Sequence, residues 1–304
     1  MDNYVLEALK QTTTLACIET GALGLERIDR AASEKANADA GAVRKAGTVR
    51  VNRLAGADEF HKQIISIQHS ACALLKSKSQ PFGEEDKWRL LPNAQFEALV
   101  QSLAPIMEEY KHAVQVLEEN ADSILERAAR NVGTFDVKLP TKAELVGRYR
   151  LRPEFRPIPD GANFRGLDSN TIEKLRERHD ARLEEAVHIA QKDTLERFAA
   201  PLQNFVQRMV AYDEREIRIN AGDTKGKDKT GCFRDSVVGN IKELHDVLKS
   251  FNITGDSRFD ELYEDLKDLV NVKPDALRDN QPVREAMTAR AKAVIDNLND
   301  WGIV

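Results

Sequence analysis

The sequence predicts a mainly α protein, built on two long amphipathic helices with a small β insert between them, and three observations carry that prediction. Apolar residues recur at three- and four-residue steps over two long runs. Charged residues make up 31% of the 304 residues against 6% aromatics, and glycine (16) and proline (10) are sparse. That composition suits long solvent-exposed helices better than a β-sandwich or a compact α/β enzyme. With 41% hydrophobic residues the chain has enough apolar surface for a core, so global disorder is not expected.

The region 1–92 reads as helical with short strands. Thr12 to Thr20 is rich in threonine and runs into Gly21, which suits a short strand or a helix start. Ala31 to Ala46 is small and charged with little periodicity, and is expected to be flexible. Asp58 is a candidate N-cap, and Phe60, Ile64, Ile67, Ala71 and Leu74 then mark a helix that stops at KSKSQPFG. Trp88 to Leu91, closed by Pro92, reads as an edge strand or as the entry to the next helix.

The region 93–217 holds the two long runs. Phe96, Leu99, Leu103, Ile106, Tyr110, Val114, Leu117, Ala121, Ile124 and Ala128 form the first stripe, with Pro105 near its start. Ser169 is a candidate N-cap for the second, which continues through Ile172, Leu175, His179, Leu183, Val187, Ala190, Leu195, Phe198, Leu202, Phe205, Met209 and Tyr212. A helix of about 45 residues is about 70 Å long at ~1.5 Å per residue. Their matched lengths predict that the two stripes bury each other as an antiparallel hairpin, with coiled-coil packing. Between them, 133–166 reads as a strand-helix-strand insert: FDVKLP, a capping box at Thr141 and Glu144, then RYRLRPEFRPIPDG. The region 218–304 reads as a bundle of three short helices joined by ITGD and VKPD turns, with stripes Phe233 to Phe251, Phe259 to Leu269 and Val283 to Leu298.

The segments LPTKAELVGRYRLRPEFRPIPDGANFR, FRDSVVGNIKELHDVLKSFNITGD and ALRDNQPVRE, with the long helix between the first two, resemble a family of uncharacterised bacteriophage and prophage proteins over roughly the last two thirds of the chain. The resemblance implies a phage origin and genes beside MoxR-like AAA+ ATPases and von Willebrand factor A-type proteins. It carries over no activity and no functional residue.

The motifs that could carry chemistry read as surface features. Gly222 to Thr230 (GDTKGKDKT) has the wrong glycine spacing for a phosphate loop, and Asp228 stands where the hydroxyl belongs, so a charged turn is expected. Glu184, Glu185 and His188 make one E-x-x-x-H pattern of the kind a charged helix contains by chance, and no metal or other cofactor is expected. There is no G-x-S-x-G elbow; Cys72 is expected to be a buried structural thiol, while Cys17, Cys72 and Cys232 are too far apart to suggest a disulfide framework. No run reaches the ~18 apolar residues of a membrane helix, and MDNYVLEALKQTTT lacks a signal-peptide pattern, so a cytoplasmic protein is expected.

One electrostatic anomaly remains. Arg148, Arg150, Arg152, Arg156 and Arg165 crowd together with Tyr149, Phe155 and Phe164, in a chain whose net charge is -5. If Arg148 to Arg152 is a strand, alternation puts its arginines on one face. Arginine beside exposed aromatics suits a single-stranded nucleic acid, a protein hot spot, or pairing with acids of the flanking helices. Arg44, Lys45, Arg50 and Arg53 add a weaker basic stretch. The favoured reading is a non-enzymatic interaction protein whose partner is another protein, a MoxR-like AAA+ ATPase or a second copy of the chain. Nucleic-acid association is the alternative, and an enzyme of unknown class comes third.

Overall fold

The computed structural model describes residues 3–42, 46–83, 87–159, 168–220 and 234–302. In order these form α1 (Asn3–Thr12), β1 (Thr13–Gly21), β2 (Glu26–Asp29), α2 (Arg30–Asp39), β3 (Val49–Asn52), α3 (Glu59–Lys78), β4 (Gln80–Pro81), β5 (Arg89–Pro92) and α4 (Asn93–Val132). There follow α5 (Lys142–Gly147), β6 (Arg150–Pro157), α6 (Ser169–Asn220), α7 (Ser236–Phe251), α8 (Ser257–Asn271), α9 (Pro274–Asp279) and α10 (Gln281–Asp300). The protein is mainly α, and the helices of 40 and 52 residues, α4 and α6, dominate it.

The chain divides into two compact units, each assembled from separated stretches. The first comprises Met1–Leu15, Lys78–Phe96 and Arg156–Val304; the second comprises Ala16–Ser77 and Glu97–Phe155. A four-stranded sheet runs in the order β4-β5-β1-β6, with β4 and β5 antiparallel, and β2 and β3 form a separate antiparallel pair in which Arg27 faces Val51.

In the first unit the second half of α6 is one wall of a helical bundle. Its stripe Leu195, Phe198, Leu202, Phe205 and Met209 shares a core with Ile241, Leu248 and Phe251 of α7, Phe259, Leu262 and Leu266 of α8, and Ala291, Val294 and Leu298 of α10. Burying one such side chain contributes about 1.5–3 kcal/mol. A stripe is non-directional and packs on whichever apolar face closes over it, and for the second half of α6 that is α7, α8 and α10. The bundle itself is as expected, with the one-turn α9 added at the VKPD turn.

Polar groups bind this unit together where the stripes stop. Arg284 at the start of α10 is fully buried and saturated: Nε donates to Asp213 at 2.5 Å, Nη2 to Glu216 at 3.0 Å, and Nη1 to the carbonyls of Leu277 and Arg278, with the guanidinium lying over the Tyr212 ring. The Gln80 amide of β4 donates to Thr194 Oγ1 at 2.6 Å and to the Ala190 and Phe251 carbonyls, stitching the strand to α6 and α7. The N-cap of α6 is Asp168, not Ser169: its carboxylate accepts from Thr171 N–H, and the Thr171 hydroxyl and N–H hold its pKa below the usual carboxylate range.

In the second unit α4 buries Leu99, Leu103, Tyr110, Leu117, Ala121, Ile124 and Ala128, and α3 buries Ile64, Ile67, Ala71 and Leu75, close to the expected stripes. Gly133, with φ +61°, follows the last residue of α4 in the left-handed conformation that ends helices. The segment expected to be flexible is instead largely α2. Asp29 caps it through Ala32 N–H at 2.8 Å and accepts Asp136 N–H with its other oxygen, while the Asn37 side chain clamps the backbone of Ala46 and Gly47. Small residues without a stripe still make a helix when both ends are tied. Thr12 to Thr20 resolves the other open choice, since α1 ends at Thr12 and β1 begins at Thr13. β5 has neighbours on both sides, as Leu90 and Leu91, both fully buried, require.

Of the insert, the helix and one strand form. Thr141 and Glu144 make the reciprocal capping box of α5. FDVKLP forms no strand, because Val137 N–H turns back to the Phe135 carbonyl.

Candidate arginine interaction surface

β6 is the last strand of its sheet, and Pro153 and Pro157 fit there because a proline offers no N–H to a ladder. Arg148 lies outside the expected strand, in αR conformation as the C-cap of α5. From Arg150 the alternation holds: Arg150 and Arg152 are exposed while Leu151 is buried. A β-carbon on Gly21 of β1 would meet Arg150 Nε at 2.9 Å and the Arg148 carbonyl at 3.0 Å, so glycine is what lets the arginine lie across that strand end. The Gln68 amide of α3 donates to the carbonyls of both Gly21 and Arg150 at 2.9 Å and fixes the pair.

The ion pairs of this unit's described residues lie elsewhere, at Arg50–Glu26, Lys62–Asp58, Lys111–Glu108, Arg127–Glu59 and Lys142–Asp122. Among the described residues Arg148, Arg150 and Arg152 join none. Of the three uses open to these arginines in the sequence, pairing with flanking helices is not observed for these three. Basic and acidic residues balance in this unit, so the whole net charge of -5 falls on the other.

The aromatics divide. Tyr149 is buried, with its hydroxyl hydrogen-bonded to His61 Nδ1 at 2.8 Å; burial pushes its pKa up to about 12, and burial also holds His61 below its ordinary value. It offers no face to a base or a partner. Phe155 is 37% exposed. Arg156, in the first unit, is exposed and stacks on buried Trp88 at 3.7 Å. Phe164 and Arg165 lie outside the described residues, as do Arg44, Lys45, Cys232 and the GDTKGKDKT segment.

The structure adds Arg27 and Arg30 to Arg50 and Arg53 of the weaker basic stretch. A cavity of about 440 Å³ on the β2–β3 pair is lined by Glu26, Arg27, Ile28, Arg30 and Arg50, with Ile28 50% exposed. Arg53 is only 6% exposed, donates from Nη2 to the Gly24 carbonyl at 2.6 Å, and has no hydrogen-bond partner at Nε. Burial and the neighbouring charges of Arg27 and Arg148 lower its pKa, against an opposing pull from Glu144. Arg27 and Arg50 come from strands that pair only in the fold, and Arg53 directly follows β3.

A second group of arginines, in the first unit, has internal acceptors. Arg89 and Arg197 both donate to the Ser79 carbonyl at 2.9 Å, Arg197 pairs with Asp193 at 2.6 Å, and burial beside Arg197 brings Arg89 down to about 10. Cys72 is exposed one step off the α3 stripe, not buried as expected, since Ala71 takes the inward position; partial burial still raises its pKa, which disfavours the thiolate. Among the described residues no three His, Cys, Asp or Glu side chains approach closely enough to hold a metal ion, and no helix is long and apolar enough to cross a membrane.

Fold and surface together define a mainly α protein that displays arginines without carboxylate partners from a small β-containing unit. No protein-family model, curated protein or solved structure matches the chain.

Proposed function

We propose that this is a non-enzymatic interaction protein that docks an acidic protein partner on the arginines of its second unit. The observation that carries the reading is that Arg148, Arg150 and Arg152 are exposed and pair with no carboxylate among the described residues. A row of like charges at one strand end costs electrostatic repulsion in the free protein, and an acidic partner relieves it. Recognition runs through side chains and not by strand addition, because Pro153 and Pro157 break the donor pattern of β6. The loss of Tyr149 to the interior and the zero net charge of the unit weigh against nucleic acid, whose binding draws on stacked aromatics and a basic field. The resemblance adds a phage-encoded protein acting in the host cytoplasm, with a MoxR-like AAA+ ATPase or a second copy as the partner.

The test is a pull-down of the tagged protein from phage-infected cells, with and without nuclease, beside a variant carrying Arg148→Ala, Arg150→Ala and Arg152→Ala. A partner that survives nuclease and is lost with the variant is the expected result. Equal recovery by the variant removes the reading, and recovery of nucleic acid in place of protein transfers the surface to that ligand. Light scattering on the purified chain tests a second copy as the partner.

A further inference from the structure

Among the described residues Arg53 is the one buried cation of the second unit whose surroundings do not account for its charge. Its Nη2 is spent on the Gly24 carbonyl and its backbone N–H on the Leu25 carbonyl, while Nε faces no acceptor. A buried guanidinium normally has its donors filled and a carboxylate beside it, since desolvating an unpaired charge is costly. Here the neighbours are of the same sign. Arg27 Nη1 comes within 3.5 Å of where a β-carbon on Gly24 would stand, against the same residue that Arg53 grips, and the Arg148 carbonyl crowds Gly21 at the other end of that turn. Arg27 and Arg148 both push the Arg53 pKa down, and the one nearby carboxylate, Glu144, is committed to the Thr141 capping box. Ala22 and Gly24 are exposed, so the turn is open to solvent.

We infer that Arg53 and Arg27 form a receptor for a single oxyanion, a carboxylate or a phosphate group, at the Gly21–Gly24 turn. The forked donor of Arg27 grips the anion from the open side, and Arg53 Nε gains the acceptor it lacks. Gly21 has a direct part: a side chain there would press on the Arg148 carbonyl and the Arg150 guanidinium at the end of the turn. The receptor deepens the interaction reading by naming the group the partner would insert, and it rests on that reading only for the anion's source.

The test is an NMR titration of the purified full-length protein, following arginine Nε–Hε correlations, with ionic strength held constant by chloride. Inorganic phosphate and a hexaglutamate peptide are added separately. The expected result is a saturable shift of the Arg53 Nε–Hε signal, identified by its absence in Arg53→Lys, with at least one probe. The variant Arg27→Gln, whose exposed position leaves folding intact, weakens the binding by about tenfold or more. Saturation with the peptide alone assigns the anion to a partner's side chain, and saturation with phosphate assigns a free or phosphoryl oxyanion. A linear, unsaturating response to both probes, the same in the Arg27 variant, overturns the receptor. The pull-down can fail while this titration succeeds, so the two readings are separable.

Discussion

Arg284 and Arg53 are both buried arginines, at 1% and 6% exposure, and the two units treat them in opposite ways. In the first unit Arg284 spends its donors on Asp213, Glu216 and two carbonyls and rests on Tyr212, so its charge is part of what holds α10 to α6. In the second unit Arg53 has one carbonyl, an idle Nε, and two arginines as neighbours. The contrast separates arginine used as a structural tie from arginine left available. A tie has acceptors supplied by its own fold, whereas an available arginine is short of them until something else provides one.

The largest expected effect breaks the tie. Arg284→Ala strands Asp213, Glu216 and the two carbonyls and opens a cavity beside Tyr212, and should lower unfolding free energy by about 3–5 kcal/mol in a denaturant titration. A change under about 1 kcal/mol would mean that the network is ornamental. Leu183→Asp and Leu103→Asp bury an unpaired charge, one in each unit, and should each cost several kcal/mol, on the order of 3 or more. A wild-type melting temperature in either would show that its stripe is not core.

Next comes the pair inside the second unit. Tyr149→Phe leaves His61 Nδ1 without its partner and should cost about 1 kcal/mol. Burial lowers the pKa of His61 in the folded state, so the unfolded chain takes up the proton first as pH falls. That contribution therefore favours folding above the ordinary histidine value of about 6.5 and is eroded as pH drops below it. A His61→Phe variant should show a flatter stability profile between about pH 5 and 7; an unchanged slope would assign the pH dependence to other groups. The smallest effect sharpens the opening comparison. Arg53→Met keeps most of the side-chain volume and removes a charge that the fold does not neutralise, and it should stay within about 1 kcal/mol of the parent. A loss as large as that of Arg284→Ala would make Arg53 a second structural tie and undercut the receptor.

Where the sequence was informative, local rules were enough. The stripes of α3, α4 and α6, the capping box at Thr141 and Glu144, and the alternation of Arg150, Leu151 and Arg152 all follow from spacing along a few residues. Where it misled, a distant partner decided. Ala31 to Ala46 lacks a stripe, but Asp29 at the start of α2 accepts from Asp136 N–H far along the chain, and Asn37 near its end holds the backbone of Gly47. Tyr149 sits among arginines in sequence and looked exposed, yet His61, 88 residues away, draws it inside. The arginine surface was half legible for the same reason: Arg150 and Arg152 announce themselves by alternation, while Arg27 and Arg53 come together only because β2 and β3 pair and close on the turn at Gly24.

By itself, then, the sequence determined the helical class, the buried face of each long helix and the row of arginines on β6, because periodicity and capping are properties of residues within a turn or two of one another. Only the tertiary structure decided that α6 packs on α7, α8 and α10, that the chain forms two units from interleaved stretches, and that Arg284 is saturated while Arg53 is not. An apolar stripe records that a face will be buried and carries no address for what covers it, and a guanidinium records its charge without naming the acceptor; both are settled by which distant surfaces the fold brings into reach.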